Sequence, residues 1–269
     1  MRKYEDIAYI DDGDKGHTLD IYLPDTAVTE RSSSSSLPLV IYVHGGAWRT
    51  DDKSTVSFIG PRLLEETGNC TAIAIVNYRL STRDPSSVRH PAHLDDVCAA
   101  IEFLVTVANY PGHDVINQGS VYLVGHSAGA HLATMAVLGG SHGWLQSIKG
   151  VVGIGGIYDI PSLLRKYPSY SDFVDMAFDR SQYAAASPLN AVSAESKRGA
   201  SGHIRFLVIN STEDELIGSD QAVEFASRLI DAGYEDVALV VRKIGDHYGE
   251  LERREFWRII SQFVFDKCN

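Results

Sequence analysis

The stretch Val121-Tyr122-Leu123-Val124-Gly125-His126-Ser127-Ala128-Gly129-Ala130 constrains this chain more than any other. A short apolar run, as of a buried strand, passes into Gly-x-Ser-x-Gly and then into an apolar helical run starting near Ala128. A serine at so sharp a strand-to-helix turn is held clear of the backbone, where a base can reach its hydroxyl. Gly125 and Gly129 remove the side chains that would collide across the turn. The helix beginning after Ser127 aims free N–H groups, and the positive end of its dipole, at an oxyanion forming there. The bare pattern arises by chance about one time in ten in a chain of this length. Its weight therefore rests on the flanking strand and helix, and on the rest of the chain.

The remainder reads as strands alternating with helices. Residues 7–10 and 18–23 alternate apolar and polar across Asp11-Asp12-Gly13-Asp14, as an antiparallel pair at a sheet edge does. Thr26 to Ser36, with its serine run, is a polar loop. Leu39–Val43, 72–78, 148–157, 204–209 and 237–241 are further strands. Helices are expected over 57–67, 91–108, 219–232 and 249–265. Between 158 and 201 the pattern breaks into short, aromatic-rich, proline-punctuated pieces, read as a small cap inserted over the sheet. The order predicts one α/β domain over 1–269, with a mostly parallel sheet and helices on both faces. In such sheets ligands bind beyond the carboxyl ends of the strands. His44-Gly45-Gly46, Ser127, Asp214 and His247 all follow strands, so four separate segments point to one edge.

Composition bounds the partners. The 269 residues carry a formal net charge of −11. An acidic surface argues against nucleic acid or anionic membrane as the main partner and leaves a small-molecule substrate open. The N-terminus lacks an apolar signal-peptide core, and no run approaches a membrane span. Cys70, Cys98 and Cys268 are few, odd in number and widely spaced, which fits neither a disulfide framework nor a zinc site. They read as reduced thiols, Cys98 buried, in a cytoplasmic protein. No dinucleotide fingerprint and no metal-ligand spacing is present, so no cofactor is expected. The sequence leaves oligomeric state unread.

A serine hydroxyl is a poor nucleophile until an oriented imidazole takes its proton. Beyond the elbow, the best acid is Asp214, just past a strand, with Glu213 next in line among its carboxylate neighbours. The best base is His247, past the last strand; His90 and His93 are the remaining candidates. His17, His113, His142 and His203 read as surface groups, and His131 as packed or capping. The N–H groups of Gly45, Gly46 and Ala128 are the oxyanion donors, and His44 holds the loop shape. A lone Gly-Gly would be an ordinary strand-ending turn; two strands ahead of an elbow it reads as the donor loop. Trp48, Tyr158 and Tyr248 are candidate substrate contacts, although core packing explains each of them as well. Tyr170, Phe173 and Phe178 stand in the same position, and Asp95-Asp96 reads as structural.

With these residues assembled, the chain resembles the α/β-hydrolase esterases with an HGG oxyanion loop, and among them the fungal kynurenine formamidases. His44-Gly45-Gly46-Ala47-Trp48, Gly125-His126-Ser127-Ala128-Gly129, Asp214 and His247 match the broad motifs one by one. The narrower likeness rests on the oxyanion segment and on the run from Gly156-Ile157-Tyr158-Asp159-Ile160 through Tyr167-Pro168-Ser169-Tyr170 to Ala177-Phe178. Ala47 replaces the third glycine of the HGGG lipases, which argues against that subgroup. The resemblance implies the α/β-hydrolase fold, a Ser-His-Asp triad and hydrolysis of N-formyl-L-kynurenine to kynurenine and formate. Rival readings are a short-acyl carboxylesterase and, further off, a non-catalytic ligand-binding protein on the same scaffold. A dienelactone-type hydrolase would favour cysteine where Ser127 stands.

Overall fold

The apolar runs pair edge to edge because each is flanked by turn residues and can satisfy its backbone only through a neighbouring strand. A computed structural model describes residues 1–25, 36–84, 86–193, 197, 199 and 201–265. Most of the loop expected over 26–36 and Cys268 lie outside the described residues. The strands are β1 (Arg2–Ala8), β2 (Thr18–Leu23), β3 (Leu37–Val43), β4 (Ala72–Val76), β5 (Ile116–His126), β6 (Ile148–Ile154), β7 (Arg205–Ser211) and β8 (Val237–Arg242). They form one sheet in the order β1-β2-β4-β3-β5-β6-β7-β8. β2 runs antiparallel to both β1 and β4; every pairing from β4 onward is parallel. With helices on both faces, this is the α/β-hydrolase fold.

Register decides where the chemistry sits. Val43 pairs with both Val76 and Gly125, and Gly125 pairs with Gly153. The carboxyl ends of β4, β3, β5 and β6 are therefore level, and the loops leaving them share one rim. Below the rim the inner strands are buried on both faces. One apolar layer packs under the helices Ala92–Thr106, Ala128–Leu138 and Ser219–Asp231, through Ile101, Leu132 and Phe225 among others. The opposite layer packs under Ile59–Glu66 and Arg254–Phe265, through Leu63, Trp257 and Ile260. Between β6 and β7, where the cap was expected, lie the short helices Ile160–Lys166, Ser171–Ala177 and Pro188–Ala191.

Three elements depart furthest from expectation, each for a local reason. β1 begins at Arg2 rather than Ile7 and ends at Ala8. Its register shifts between Tyr4 and Ile7, where Asp6 sits at φ +54°. An exposed edge strand of charged residues carries no apolar alternation to read. β5 starts at Ile116, five residues early, because Leu37 and Pro38 of β3 extend the pairing. The closing helix is broken: Gly249–Glu252 is a separate 3-10 turn, and the α-helix starts at Arg254. Arg253 is extended, and the Trp257 indole donates to Leu251 O at 2.7 Å, fixing the corner.

The tightest constraint is at the elbow. A Cβ on Gly129 would fall inside the carbonyl oxygens of Val43 and His44, and one on Gly125 inside the Gly129 carbonyl. Helix and sheet touch there backbone to backbone, as the sequence pattern requires. Gly129→Ala is expected to push the helix Ala128–Leu138 off β3 and lower unfolding stability by about 1–3 kcal/mol or more. Urea denaturation at unchanged m-value would read that loss; wild-type stability would contradict the packing described.

Candidate active site

Ser127 occupies the turn between β5 and the helix Ala128–Leu138 at φ +54°, ψ −119°. Such backbone costs about 1–3 kcal/mol and persists only where the surroundings impose it. Here the Ser127 N–H donates to Ile154 O at 2.8 Å, and the Ser127 carbonyl accepts from Ala130 N and His131 N. The residue is 7 % exposed. Ala128 N–H is the first of the helix and has no intrahelical acceptor.

The Asp214 and His247 side chains meet in the loops after β7 and β8. His247 Nδ1 donates to Asp214 Oδ2 at 2.8 Å, and both side chains are closed to solvent. Asp214 Oδ1 accepts from Leu216 N at 2.9 Å and Ile217 N at 2.8 Å. Bonded to Asp214 through Nδ1–H, a neutral imidazole keeps Nε2 free to accept a proton. The neighbouring Glu213 pairs instead with Lys243 at 2.7 Å. The two loops are tied by Ser211, whose hydroxyl accepts from Glu213 N, Ile244 N and Gly245 N, each at 3.2 Å. Glu215 accepts from the His247 N–H at 3.1 Å.

His126, beside Ser127, links the dyad to the elbow. Its Nε2 donates to the His247 carbonyl at 2.8 Å, and the two rings lie 4.5 Å apart. Burial and the adjacent His247 hold its pKa well below the ordinary histidine value, so it stays neutral. Among the described residues the Ser127 hydroxyl makes no hydrogen bond. The three chemical groups are thus placed by separate supports, and the Asp214–His247 bond is the one already made.

The candidate oxyanion loop, His44-Gly45-Gly46, is shaped from behind by Tyr78. Its hydroxyl donates to Gly45 O at 2.8 Å and lies 3.2 Å from His44 O, while the His44 ring stacks on the phenol at 4.5 Å. His44 Nδ1 also contacts Gly45 O at 3.0 Å. In a trans peptide the N–H points opposite the C=O. Anchoring both carbonyls on one side therefore turns the Gly45 and Gly46 N–H groups to the other. The place where a Gly45 Cβ would sit is 3.2 Å from Ser127 Cβ and 3.0 Å from His126 Nδ1, so the loop lies directly against the elbow. His44 stays neutral, its pKa lowered by burial.

Of the three candidate substrate contacts, Trp48 is fully buried and Tyr158 is 1 % exposed. Trp48 packs edge-on against His131 and Phe178 and donates to His131 Nδ1 at 3.3 Å. His131 Nε2 donates in turn to Ala186 O at 2.7 Å, tying the oxyanion loop to the segment after β6. Burial pushes the His131 pKa down to about 3. Tyr158 stacks on Phe225 at 4.2 Å. Packing therefore accounts for Trp48 and Tyr158, whereas Tyr248 is 52 % exposed beside His126 and His247. Tyr170 donates to Leu216 O, Phe173 lies under Arg49, and Phe178 is buried.

His93, His90 and His17 are held by packing and polar partners away from Ser127. His93 meets Ser81 Oγ at 2.8 Å and has its pKa lowered to about 4, chiefly by burial; His90 packs on Phe178. His17, expected at the surface, closes the 3-10 turn Lys15–His17 ahead of β2 and is buried against Asp14 and Asp96. Asp96 also takes Arg79 in a two-bond fork. Cys70 and Cys98 are half-buried and in no disulfide among the described residues, and burial raises the Cys98 thiol to about 12, which makes it unreactive. Among the described residues there is no acid–histidine–cysteine cluster suited to a metal, and no helix is long and apolar enough to cross a membrane. The sequence does not single out Tyr78 or Ser211, since no motif marks them, and Glu215 stands there only among the carboxylate neighbours of Asp214.

The family described as BD-FAE matches residues 19–229. A kynurenine formamidase from Meyerozyma guilliermondii is 37% identical over 198 residues, covering 71% of each chain. Kynurenine formamidase avaC of Aspergillus versicolor is 33% identical over 79% of this chain and 82% of its own. Esterase LipQ of Mycobacterium tuberculosis is 28% identical over 94% of this chain and 59% of its own. Among solved structures, a truncated carbohydrate esterase from gut microbiota superposes with TM-score 0.77 at 21% identity, covering 99% of this chain and 96% of that one. Carboxyl esterase 2 of Tuber melanosporum gives 0.74 at 18%, covering 100% and 88%. At these identities the two structures speak for the fold.

Ser211→Ala leaves three N–H groups of the two rim loops without their acceptor. It is expected to lower unfolding stability by about 1–3 kcal/mol. It should also speed amide hydrogen exchange at Ile244 and Gly245 ahead of the strands. Unchanged exchange there would remove Ser211 as the tie between the loops.

Proposed function

This chain belongs to the BD-FAE family and is a hydrolase of the α/β-hydrolase fold, and from that premise we propose that it cleaves N-formyl-L-kynurenine to kynurenine and formate. The observation that carries the chemistry is the buried Asp214–His247 bond at 2.8 Å beside a serine held at φ +54°. The substrate reading draws on the two kynurenine formamidases that match at 37% and 33% identity.

In this reading Ser127 Oγ attacks the formyl carbon as its proton passes to His247 Nε2. Asp214 steadies the imidazolium that forms. The carbonyl oxygen becomes an oxyanion facing the N–H groups of Gly45, Gly46 and Ala128; losing one such donor typically costs about 3 kcal/mol of barrier. His247 then returns its proton to the departing arylamine nitrogen. Water, deprotonated by the same imidazole, releases formate from the Ser127 ester. Tyr248 is the exposed ring against which an aryl leaving group would lie, and the helices over 160–191 act as a cap. The chemistry needs no cofactor, and the enzyme acts in the cytoplasm.

The second reading, a short-acyl carboxylesterase, is favoured by the LipQ match, which spans 94% of this chain. The two separate on kcat/KM for N-formylkynurenine against p-nitrophenyl acetate and butyrate. The formamidase reading expects clear preference for the first; equal or better turnover of the simple esters would favour the second. Ser127→Ala is expected to cut every one of these activities by about 10³-fold or more. Retained hydrolysis of both substrate classes would end the serine mechanism. Tyr78→Phe frees the Gly45 carbonyl from its phenol and is expected to lower kcat by about tenfold with KM nearly unchanged, because the loss falls on the transition state.

A further inference from the structure

Glu250 has no part in the mechanism above, and its surroundings are unusual for a carboxylate. The side chain is fully buried, and neither carboxyl oxygen has a hydrogen-bond partner among the described residues. A buried charge ordinarily has a counter-ion or several donors. The 3-10 turn Gly249–Glu252, whose Glu250 N–H donates to Asp246 O at 3.1 Å, turns this residue inward three positions after His247.

Its position relative to the dyad is fixed by Gly155. At φ +48°, with no side chain, Gly155 leaves a point around which three groups converge: Asp214 Oδ2 at 3.0 Å, His247 Cε1 at 3.2 Å and Glu250 Oε1 at 3.3 Å. Glu250 Oε1 also lies 4.0 Å from His126 Nε2, the atom that holds the His247 carbonyl. We propose that Glu250 is a positioning residue for the reaction, its buried carboxyl standing behind the Asp214–His247 pair and setting how readily the imidazole takes up a proton. This rests on His247 being the base.

The groups facing Glu250 come from every element around it. β3 supplies the buried, unpartnered Tyr42 hydroxyl, and the segment after β6 the equally unpartnered Tyr158 hydroxyl. β5 supplies His126, which is neutral. The rim loops supply Asp214 and Glu215 after β7, and Asp246 and His247 after β8. The charges acting on Glu250 are thus carboxylates. Burial first, then Asp214, Asp246 and Glu215, raise its pKa to about 8. At neutral pH the carboxyl keeps its proton and adds no charge. Above pH 8 it loses that proton to solvent, and a negative charge stands where the imidazolium forms. The sign follows: ionised Glu250 favours the charged imidazole of the transition state, so turnover rises.

The test is kcat/KM for a p-nitrophenyl ester, corrected for spontaneous hydrolysis, from pH 6 to 9.5 in wild type, Glu250→Gln and Ser127→Ala. Wild type is expected to rise twice, the second rise being about three- to tenfold and centred near pH 8, the size expected of one added charge acting on the imidazolium of the transition state. Glu250→Gln should rise once and level off. A Glu250→Gln profile of wild-type shape, differing only in scale, overturns the inference while leaving the serine mechanism standing. Ser127→Ala with wild-type activity overturns the mechanism itself, and the inference with it. Should Glu250→Gln fail to fold, infrared titration of the wild type decides. A protonated-carboxyl carbonyl band at pH 7 that vanishes above pH 8 is expected, and its absence at pH 7 contradicts the proposal.

Discussion

Backbone against backbone, Gly129 on the carbonyls of Val43 and His44, is the contact on which the rest depends. It lets the helix Ala128–Leu138 start close against the end of β3. That closeness forces Ser127 into a conformation L-residues avoid, and brings Gly45 against Ser127 Cβ. The level ends of β3, β5 and β6 then present the serine and two glycine N–H groups to the same space. The strain at Ser127 is offset by the Ile154 and helix hydrogen bonds and by the buried layers on both sides of the sheet.

Around that contact the polar groups divide by burial. His44, His126 and His131 are all buried and kept neutral, and each spends at least one ring nitrogen on a carbonyl or an indole. They are scaffold rather than charge. Carboxyl groups are gathered on the other side, where Asp214, Glu215 and Asp246 surround the buried Glu250 beside one imidazole. In the proposed reaction, a site arranged this way has the supports for a cation in place before the cation forms, so little reorganisation would accompany proton transfer. In the same reading Tyr78 would do the corresponding work for the oxyanion, through the carbonyls it holds.

Much of this was legible in the sequence because strand ends announce themselves. Ser127 stands between a continuous apolar run and an apolar helix, and Asp214 and His247 follow the last two such runs. The sheet could be read for the same reason, except at β1, where an exposed and charged edge has no periodicity to show. What could not be read is whatever acts from behind. Tyr78 looks like the last residue of a strand, Ser211 like any serine in a loop, and Glu250 like the first turn of a closing helix. Their roles depend on where Arg253 breaks that helix and on how β7 and β8 align, which are tertiary outcomes. Trp48 and Tyr158 show the reverse limit: an aromatic near a motif was a candidate contact, and packing has closed both from solvent.

The central claim is that the Ser127 oxygen is made nucleophilic by His247, which Asp214 orients. Covalent labelling with a fluorophosphonate, read by peptide mass spectrometry, tests it directly. The account predicts one adduct, on the peptide carrying Ser127, forming about 10³-fold more slowly in His247→Asn. Labelling of another residue, or an equal rate in the variant, would contradict it.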